Sequence, residues 1–156
     1  MPLIEHKQFI KAPIDSCFEL ARDVGVHTQP ILKTKGKAVG GVTKGLLVEG
    51  NSVTWESVHY GIKLRVTTRV IFMENPYSFV EKMVKGPFRY SIHIHQFIEE
   101  EAGTIMIDHF QYKSRFSLIG VLIDKLFLAK YIEKLIEARA IEFKKIVETK
   151  TNQTFD

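Results

Sequence analysis

Residues 122–147 read LIDKLFLAKYIEKLIEARAIEFKKIV. Leu122, Leu126, Ala129, Ile132, Ile136, Ala140, Phe143 and Val147 recur at steps of three and four, while Lys130, Glu133, Lys134, Glu137, Glu142 and Lys145 occupy much of the remaining surface. This period predicts a long amphipathic helix with one side committed to burial. Ala129 and Ala140 stand on that stripe where larger residues would fill the opposing surface, so the pattern leaves room for a cavity. Complete filling by the side chains that the helix covers is the plainer alternative. Thr151 to Asp156 lack the stripe and are expected to fray.

Upstream the period is close to two. Ser52 to Tyr60 ends at Gly61, Ile62 to Met73 at Glu74-Asn75-Pro76, Tyr77 to Lys85 at Gly86-Pro87, and Phe88 to Ile98 at the Glu99 to Gly103 turn; Thr104 to Tyr112 follows. Such runs divided by short turn signals predict antiparallel strands that are neighbours in space as well as in sequence. Between Lys35 and Gly50 five glycines favour turns and bent strand.

The first strand is expected at Leu3 to Ile10, stopped by Ala12-Pro13. Ile14, Cys17, Phe18, Ala21 and Val24 then mark a short helix, with Ser16 and Glu19 at capping-box spacing and Gly25 closing it. Val26 to Lys33, containing His27 and Pro30, reads as a second brief helical turn. A strand, two short helices, six strands and a long helix bury their apolar faces together when the sheet curls around the helix. The expected class is α+β, a helix-grip arrangement in which a curved antiparallel sheet wraps a long C-terminal helix. Residues 1–150 form a single expected domain, with no repeat or linker.

Composition narrows the function classes. Of 156 residues, 45% are apolar and 26% charged, which excludes disordered and low-complexity chains. One cysteine, Cys17, allows no internal disulfide, so a reducing cytoplasm fits. The start, Met1-Pro2-Leu3-Ile4-Glu5-His6-Lys7, lacks a signal-peptide pattern, and no window is long and apolar enough for a membrane span. Lys and Arg exceed Asp and Glu by 22 to 18, a mild excess. Lys33, Lys35 and Lys37 are the only local basic cluster, and a solvated loop explains them without nucleic acid. Gly36, Gly40, Gly41, Gly45 and Gly50 match no phosphate loop, since a strand follows and no Gly-Lys-Ser/Thr step occurs. Cys17 lies on an apolar stripe, so a packed thiol is preferred to a Cys17–His27 nucleophile pair.

Hairpin arithmetic assigns faces, because opposed residues in an antiparallel pair point the same way. If His59 pairs with Leu64, then Val53, Trp55, Ser57 and His59 share a face with Leu64, Val66, Thr68 and Val70, and Arg65 and Arg69 point outward. Continuing the count sets Val70 near Glu81, Glu81 near His93 and His95 opposite Asp108. Phe79, Met83, Tyr90 or its neighbours, Phe97, Met106, Phe110 and Tyr112 lie in phase. The concave face is then apolar and aromatic but carries His59, Glu81, His93, His95 and Asp108. Ionisable groups there must pair, meet water or hold a ligand. His93-x-His95 with Asp108 is geometrically possible for zinc, although two histidines at that spacing are a weak signal and no metal is expected. Glu81 beside His93 is a possible acid/base pair, burial moving the carboxyl towards neutrality.

Several motifs resemble one known family: Gly50-Asn51-Ser52-Val53-Thr54-Trp55-Glu56 with His59-Tyr60-Gly61; Phe79-Val80-Glu81-Lys82-Met83-Val84-Lys85-Gly86-Pro87-Phe88; His93-Ile94-His95-Gln96-Phe97; and Asp108-His109-Phe110-Gln111-Tyr112 before Gly120, Leu126 and Leu128. From the first strand to about Lys145 the chain is similar to the START-like, or SRPBCC, ligand-binding superfamily, in its bacterial polyketide cyclase/dehydrase-like branch. The resemblance implies the same helix-grip fold and a deep cavity for lipids, polyketides or aromatic compounds. It supplies no catalytic set, and the metal ligands of iron–sulfur dioxygenase members are not recognisable.

The expected function is binding of a small apolar or aromatic molecule, lipid, polyketide or quinone-like, between helix and sheet. The expected lining is His27, Trp55, His59, Glu81, Met83, His93, His95, Phe97, Asp108, Phe110, Tyr112, Leu126, Ala129 and Ile136. No cofactor, nucleic acid or stable membrane insertion is expected, and the chain would act as a monomer or homodimer. A cyclase or dehydratase moving protons with Glu81, His93 or Asp108 is the alternative. A protein-interaction module, with a filled cavity and an exposed apolar patch, is a third.

Overall fold

A computed structural model describes residues 3–28, 36–115 and 127–155. In chain order the elements are β1 (Leu3–Ile10), α1 (Ile14–Ala21), α2 (Val24–Thr28), β2 (Lys37–Gly41), β3 (Ser52–His59), β4 (Ile62–Glu74), β5 (Ser78–Lys85), β6 (Tyr90–Glu100), β7 (Gly103–Lys113) and α3 (Ala129–Phe155). The strands form one seven-stranded antiparallel sheet in the order β1-β7-β6-β5-β4-β3-β2. This is the expected helix-grip fold, with α3 laid against the sheet's inner face. No helix among the described residues is long and apolar enough to cross a membrane.

The ends of the short helices differ from the expectation. α1 begins directly after Pro13, whose φ of −61° and ψ of 150° end the extended segment, and no side chain caps it. Ser16 and Glu19 therefore lie inside the helix, and the Glu19 carboxylate instead accepts from the Arg22 guanidinium at 2.8 Å. Gly25 does not close α1, which ends at Ala21; it sits in the first turn of α2, where Asp23 Oδ1 accepts from the Gly25 N–H at 2.8 Å. An aspartate available to cap a new helix overrides the stop signal of the glycine. At the other end, α3 runs on as helix through Thr151 to Phe155, beyond the apolar stripe, because no Gly or Pro interrupts it there.

The registers decide which residues meet. His59 pairs with Ile62, two residues from the expected Leu64, because Tyr60 and Gly61 both take positive φ (51° and 78°) and close the hairpin in two residues. A shift of two keeps every side chain on its face, so Arg65 and Arg69 still point outward, and both are exposed. Arg65 joins Lys37 and Lys63 around Glu56, with its Nε 2.8 Å from the carboxylate. Further along, Val70 pairs with Glu81, Glu81 with His93, and His95 with Asp108, as the hairpin count requires. Tyr112 lies opposite Ser91, which takes the inner place assigned loosely to Tyr90.

Three apolar clusters hold sheet and helices together. The largest joins α1 and α2 to α3 and the central strands through Phe18, Val26, Phe79, Phe97, Met106, Phe143 and Val147. Phe18 meets Phe79 and Phe97 edge-on, at centroid separations of 5.7 and 5.6 Å. Burying each of these rings contributes roughly 2–3 kcal/mol, so this end anchors the helix to the sheet. A second cluster sets Ile132 and Ile136 of α3 on Ile4 and Tyr112. A third, of Val24, Leu47, Val53 and Val70, supports Trp55.

Candidate functional site

Between the apolar clusters the inner face is polar. One cross-strand row runs Phe79, His95, Asp108, His6, and the next runs Glu81, His93, Phe110, Ile4. The hydrogen bonds are diagonal between the rows: His95 Nε2 lies 3.0 Å from Glu81 Oε2, and His93 Nε2 lies 3.1 Å from Asp108 Oδ1. Diagonal neighbours in an antiparallel sheet are within reach of such long side chains. Glu81 therefore bonds to His95 rather than to His93, its direct cross-strand neighbour and expected acid/base partner. His95 Nδ1 is also 2.9 Å from Asp108 Oδ1, off the line of a well-formed hydrogen bond, so that contact is chiefly ionic. The two imidazoles stack, with centroids 4.0 Å apart and planes 25° from parallel. Phe79 covers the other face of His95 at 4.3 Å.

Burial opposes charge on each of these groups, and the neighbours decide which of them remain charged. For His95, burial is outweighed by hydrogen bonds and charges from Asp108 and Glu81, which hold its pKa up at about 9. For Glu81, burial is outweighed by the hydrogen bond and charge of His95, with help from His27 and His93, and its pKa falls to about 2. For Asp108, burial is likewise outweighed by His93 and His95, which hold it well below the usual carboxylate range. His93 moves down through burial and the adjacent His95 cation, with Asp108 pulling the other way. His27 moves down chiefly through burial. At neutral pH the layer thus holds two carboxylates, one imidazolium and neutral imidazoles, a net charge of −1. The expectation that burial would bring Glu81 towards neutrality is reversed, because an imidazolium lies within hydrogen-bond distance.

Glu81, His93 and His95 offer ligand atoms within 4.8 Å of one another, which is the spacing of a possible metal site. In-plane lone pairs of stacked rings run side by side instead of converging, so both imidazoles could bind one ion only after a ring turned. His95 would also have to give up a proton that two carboxylates retain. The arrangement is better suited to holding a proton and presenting acceptors than to ligating a cation.

The remaining expected residues separate into two groups. His27 on α2 hydrogen-bonds the Ala21 carbonyl and places its ring 6.2 Å from Trp55 and 6.3 Å from His95. Trp55 and Phe110 are partly buried on the same inner face, and Ala129 is partly exposed at the start of α3. Phe97 and Tyr112, by contrast, are enclosed in packing at 2% and 0% exposure, and Met83 and Ile136 are also buried. Leu126 lies outside the described residues, as do Pro30, Lys33 and Lys35. Cys17 is buried in the main cluster, where burial raises its pKa, in keeping with a packing role. An open groove of about 520 Å³ elsewhere, lined by residues including Lys11, Pro13, Glu99, Gly103 and Asn152, shares none of the expected site residues.

His59 belongs to a second polar group. Its Nδ1 is 2.6 Å from Tyr131 Oη and its Nε2 2.8 Å from Ser57 Oγ, which ties the first turn of α3 to the end of β3. Burial and the charge of Arg139 move the His59 pKa down. Tyr131, Arg139 and His6 were not among the expected residues. His6 faces inward opposite Asp108, and its Nε2 is buried without a hydrogen-bond partner. The spacing of Arg139 from Ile136 and Phe143 was the available signal for a cation on the inner stripe.

No family model matches the sequence, and no functionally curated protein matches it either. Solved structures do. TTHA0849 from Thermus thermophilus superposes with a TM-score of 0.77 at 21% identity, over 96% of this chain and 99% of that one. SA2116 from Staphylococcus aureus gives 0.74 at 14% identity, over 97% and 96%. Major latex-like protein 151 from Panax ginseng gives 0.67 at 12% identity, over 92% and 95%. At these identities the likeness establishes the START-like helix-grip fold.

Proposed function

We propose that this chain binds a small, mostly apolar or aromatic molecule between α3 and the inner face of the sheet, and that it belongs to the polyketide cyclase/dehydrase-like branch its motifs resemble. The observation that carries the reading is the layer of Glu81, His93, His95 and Asp108 set between apolar clusters. A protein gains little stability from burying such a layer where well-packed hydrophobic residues would serve. A net negative set of acceptors among apolar walls is, however, well suited to fixing a hydroxyl or other donor of a bound molecule. His27 and Trp55 would form one wall and Phe110 another. Cytoplasmic action fits a chain whose single thiol is buried.

The test is native mass spectrometry of the purified protein, followed by denaturing extraction of whatever it carries. A co-purified lipid, quinone or aromatic molecule is the expected result. An empty protein whose melting temperature is unmoved by a panel of such compounds would refute the reading. Catalysis is the second reading, favoured by one observation: His93 is held neutral, hydrogen-bonded to Asp108 and beside the His95 cation, so a proton acceptor and a proton donor stand 4.0 Å apart, ring to ring. Turnover of a bound polyketide-like compound that is lost in His93→Gln while binding persists would favour the cyclase or dehydratase.

A further inference from the structure

Arg139 stands three residues after Ile136 and four before Phe143, both buried, so it shares the face that α3 turns towards the sheet. It is itself partly buried. No described carboxylate pairs with it. The nearby helix carboxylates are engaged elsewhere: Glu142 lies 3.6 Å from Lys145, and Glu148 accepts from the Lys11 N–H at 2.7 Å. The groups that register the guanidinium's charge are Tyr131 and His59, which are joined by the 2.6 Å contact between Nδ1 and Oη. Burial lowers the Arg139 pKa, and the Tyr131 phenol is the one opposing influence.

A cation drawn into a partly desolvated place without an anion is costly, and a guanidinium is the side chain whose geometry best matches a carboxylate. Stacking of Tyr131 on Tyr60, with ring centroids 5.1 Å apart, supplies an aromatic rim beside it. The acidic layer around Glu81 and Asp108 is not among the influences on Arg139, so the positive and negative parts of the inner face are electrostatically separate. From this geometry we infer that Arg139 and Tyr131 form an anion-recognition subsite, which takes the single carboxylate or sulfonate of an otherwise apolar ligand. The inference rests on the ligand-binding reading and names the ligand's class: an apolar acid, held by its charged end at the N-terminal half of α3.

The experiment uses two probe pairs that differ only in charge: anilinonaphthalene sulfonate against phenylnaphthylamine, and parinaric acid against its methyl ester. Affinities are measured by fluorescence titration of the full chain. The wild type is expected to prefer the charged member of at least one pair by about tenfold or more, the usual worth of a hydrogen bond to a charged group. Arg139→Gln should abolish the preference and Arg139→Lys should retain part of it. The ratio within each pair is the readout, so a general loss of folding, which affects both members, cannot imitate the result. Equal affinity for charged and neutral probes in the wild type would overturn the subsite and leave the ligand reading standing. A preference that survives in Arg139→Gln would overturn the assignment to Arg139. Failure of all four probes to bind would overturn the ligand reading and the subsite together.

Discussion

Replacing His95 by glutamine removes the imidazolium that lies 3.0 Å from Glu81 and 2.9 Å from Asp108 and leaves two carboxylates in the interior with no cation between them. A pKa raised from the ordinary 6.5 to about 9 corresponds, at about 1.4 kcal/mol per pH unit, to about 3 kcal/mol of folding free energy. Both side chains of the His95–Asp108 contact are nearly inaccessible, at 4% and 6%, so solvent screening removes little of that figure. It agrees with the roughly 3–5 kcal/mol lost when one partner of a buried ion pair is deleted. Because the folded-state pKa is the higher one, the contribution is complete below pH 6.5 and is lost as pH rises through about 9. The assay is urea denaturation of wild type and His95→Gln at several values between pH 6 and pH 10. At pH 6 the variant should be less stable by about 3 kcal/mol, and the gap should close by most of that amount at the alkaline end. A gap below about 1 kcal/mol at pH 6, or one that does not change with pH, would refute the charge assignment. Should the variant fail to fold, the alkaline fall in wild-type stability remains measurable.

The same layer governs the acid limb. Since the Glu81 pKa is depressed from 4.5 to about 2, its contribution is complete above pH 4.5 and is lost as pH falls through about 2. Wild type should therefore lose stability across that window more steeply than Glu81→Gln in acid titrations followed by circular dichroism. Tyr131→Phe removes the hydroxyl bonded to His59 and should cost about 1 kcal/mol in chemical denaturation, with hydrogen exchange accelerated in the first turns of α3. Gly41 has a φ of +66° where β2 crosses β3, and a Cβ there would collide with the Ser52 carbonyl oxygen. Gly41→Ala should destabilise the fold by at least ~1–3 kcal/mol, seen as a lower denaturation midpoint, whereas the same change at Gly45, which is open to solvent, should cost less.

The parts of the site that could be read in the sequence are those fixed by local geometry. Short loops between β5, β6 and β7 leave few possible registers, and alternation then puts Glu81, His93, His95 and Asp108 on one face. Even where the count missed by two residues, at His59, the face was kept because strand side chains repeat every second residue. The N-terminal strand was harder to read, since its inner positions Ile4, His6, Gln8 and Ile10 mix polar with apolar, and a polar interior looks like poor alternation. Diagonal bonding was not legible at all: register names the opposed pair, Glu81 with His93, but side-chain length and rotamer select His95. Protonation states lie further from the sequence again. They depend on which neighbour lies within about 3 Å, so burial alone predicted the wrong direction for Glu81.

The inner face carries its charge unevenly, and this restricts what it can receive. Glu81, Asp108 and His95 leave a residual negative charge at the middle strands, while the positive charge of Arg139 lies on the helix near the end of β3. From β6 to β3 there are three strand spacings, roughly 14 Å, too far for one charge to neutralise the other. A purely hydrocarbon ligand would desolvate both regions and satisfy neither. A molecule with an acidic end and a hydrogen-bond donor near its opposite end would satisfy both, and its orientation would be set by sign before any shape complementarity operated. The apolar clusters then have a different task from ligand choice: by holding α3 through Phe143 and Val147 at one end and Ile132 and Ile136 nearer the other, they fix the two polar regions at a constant separation.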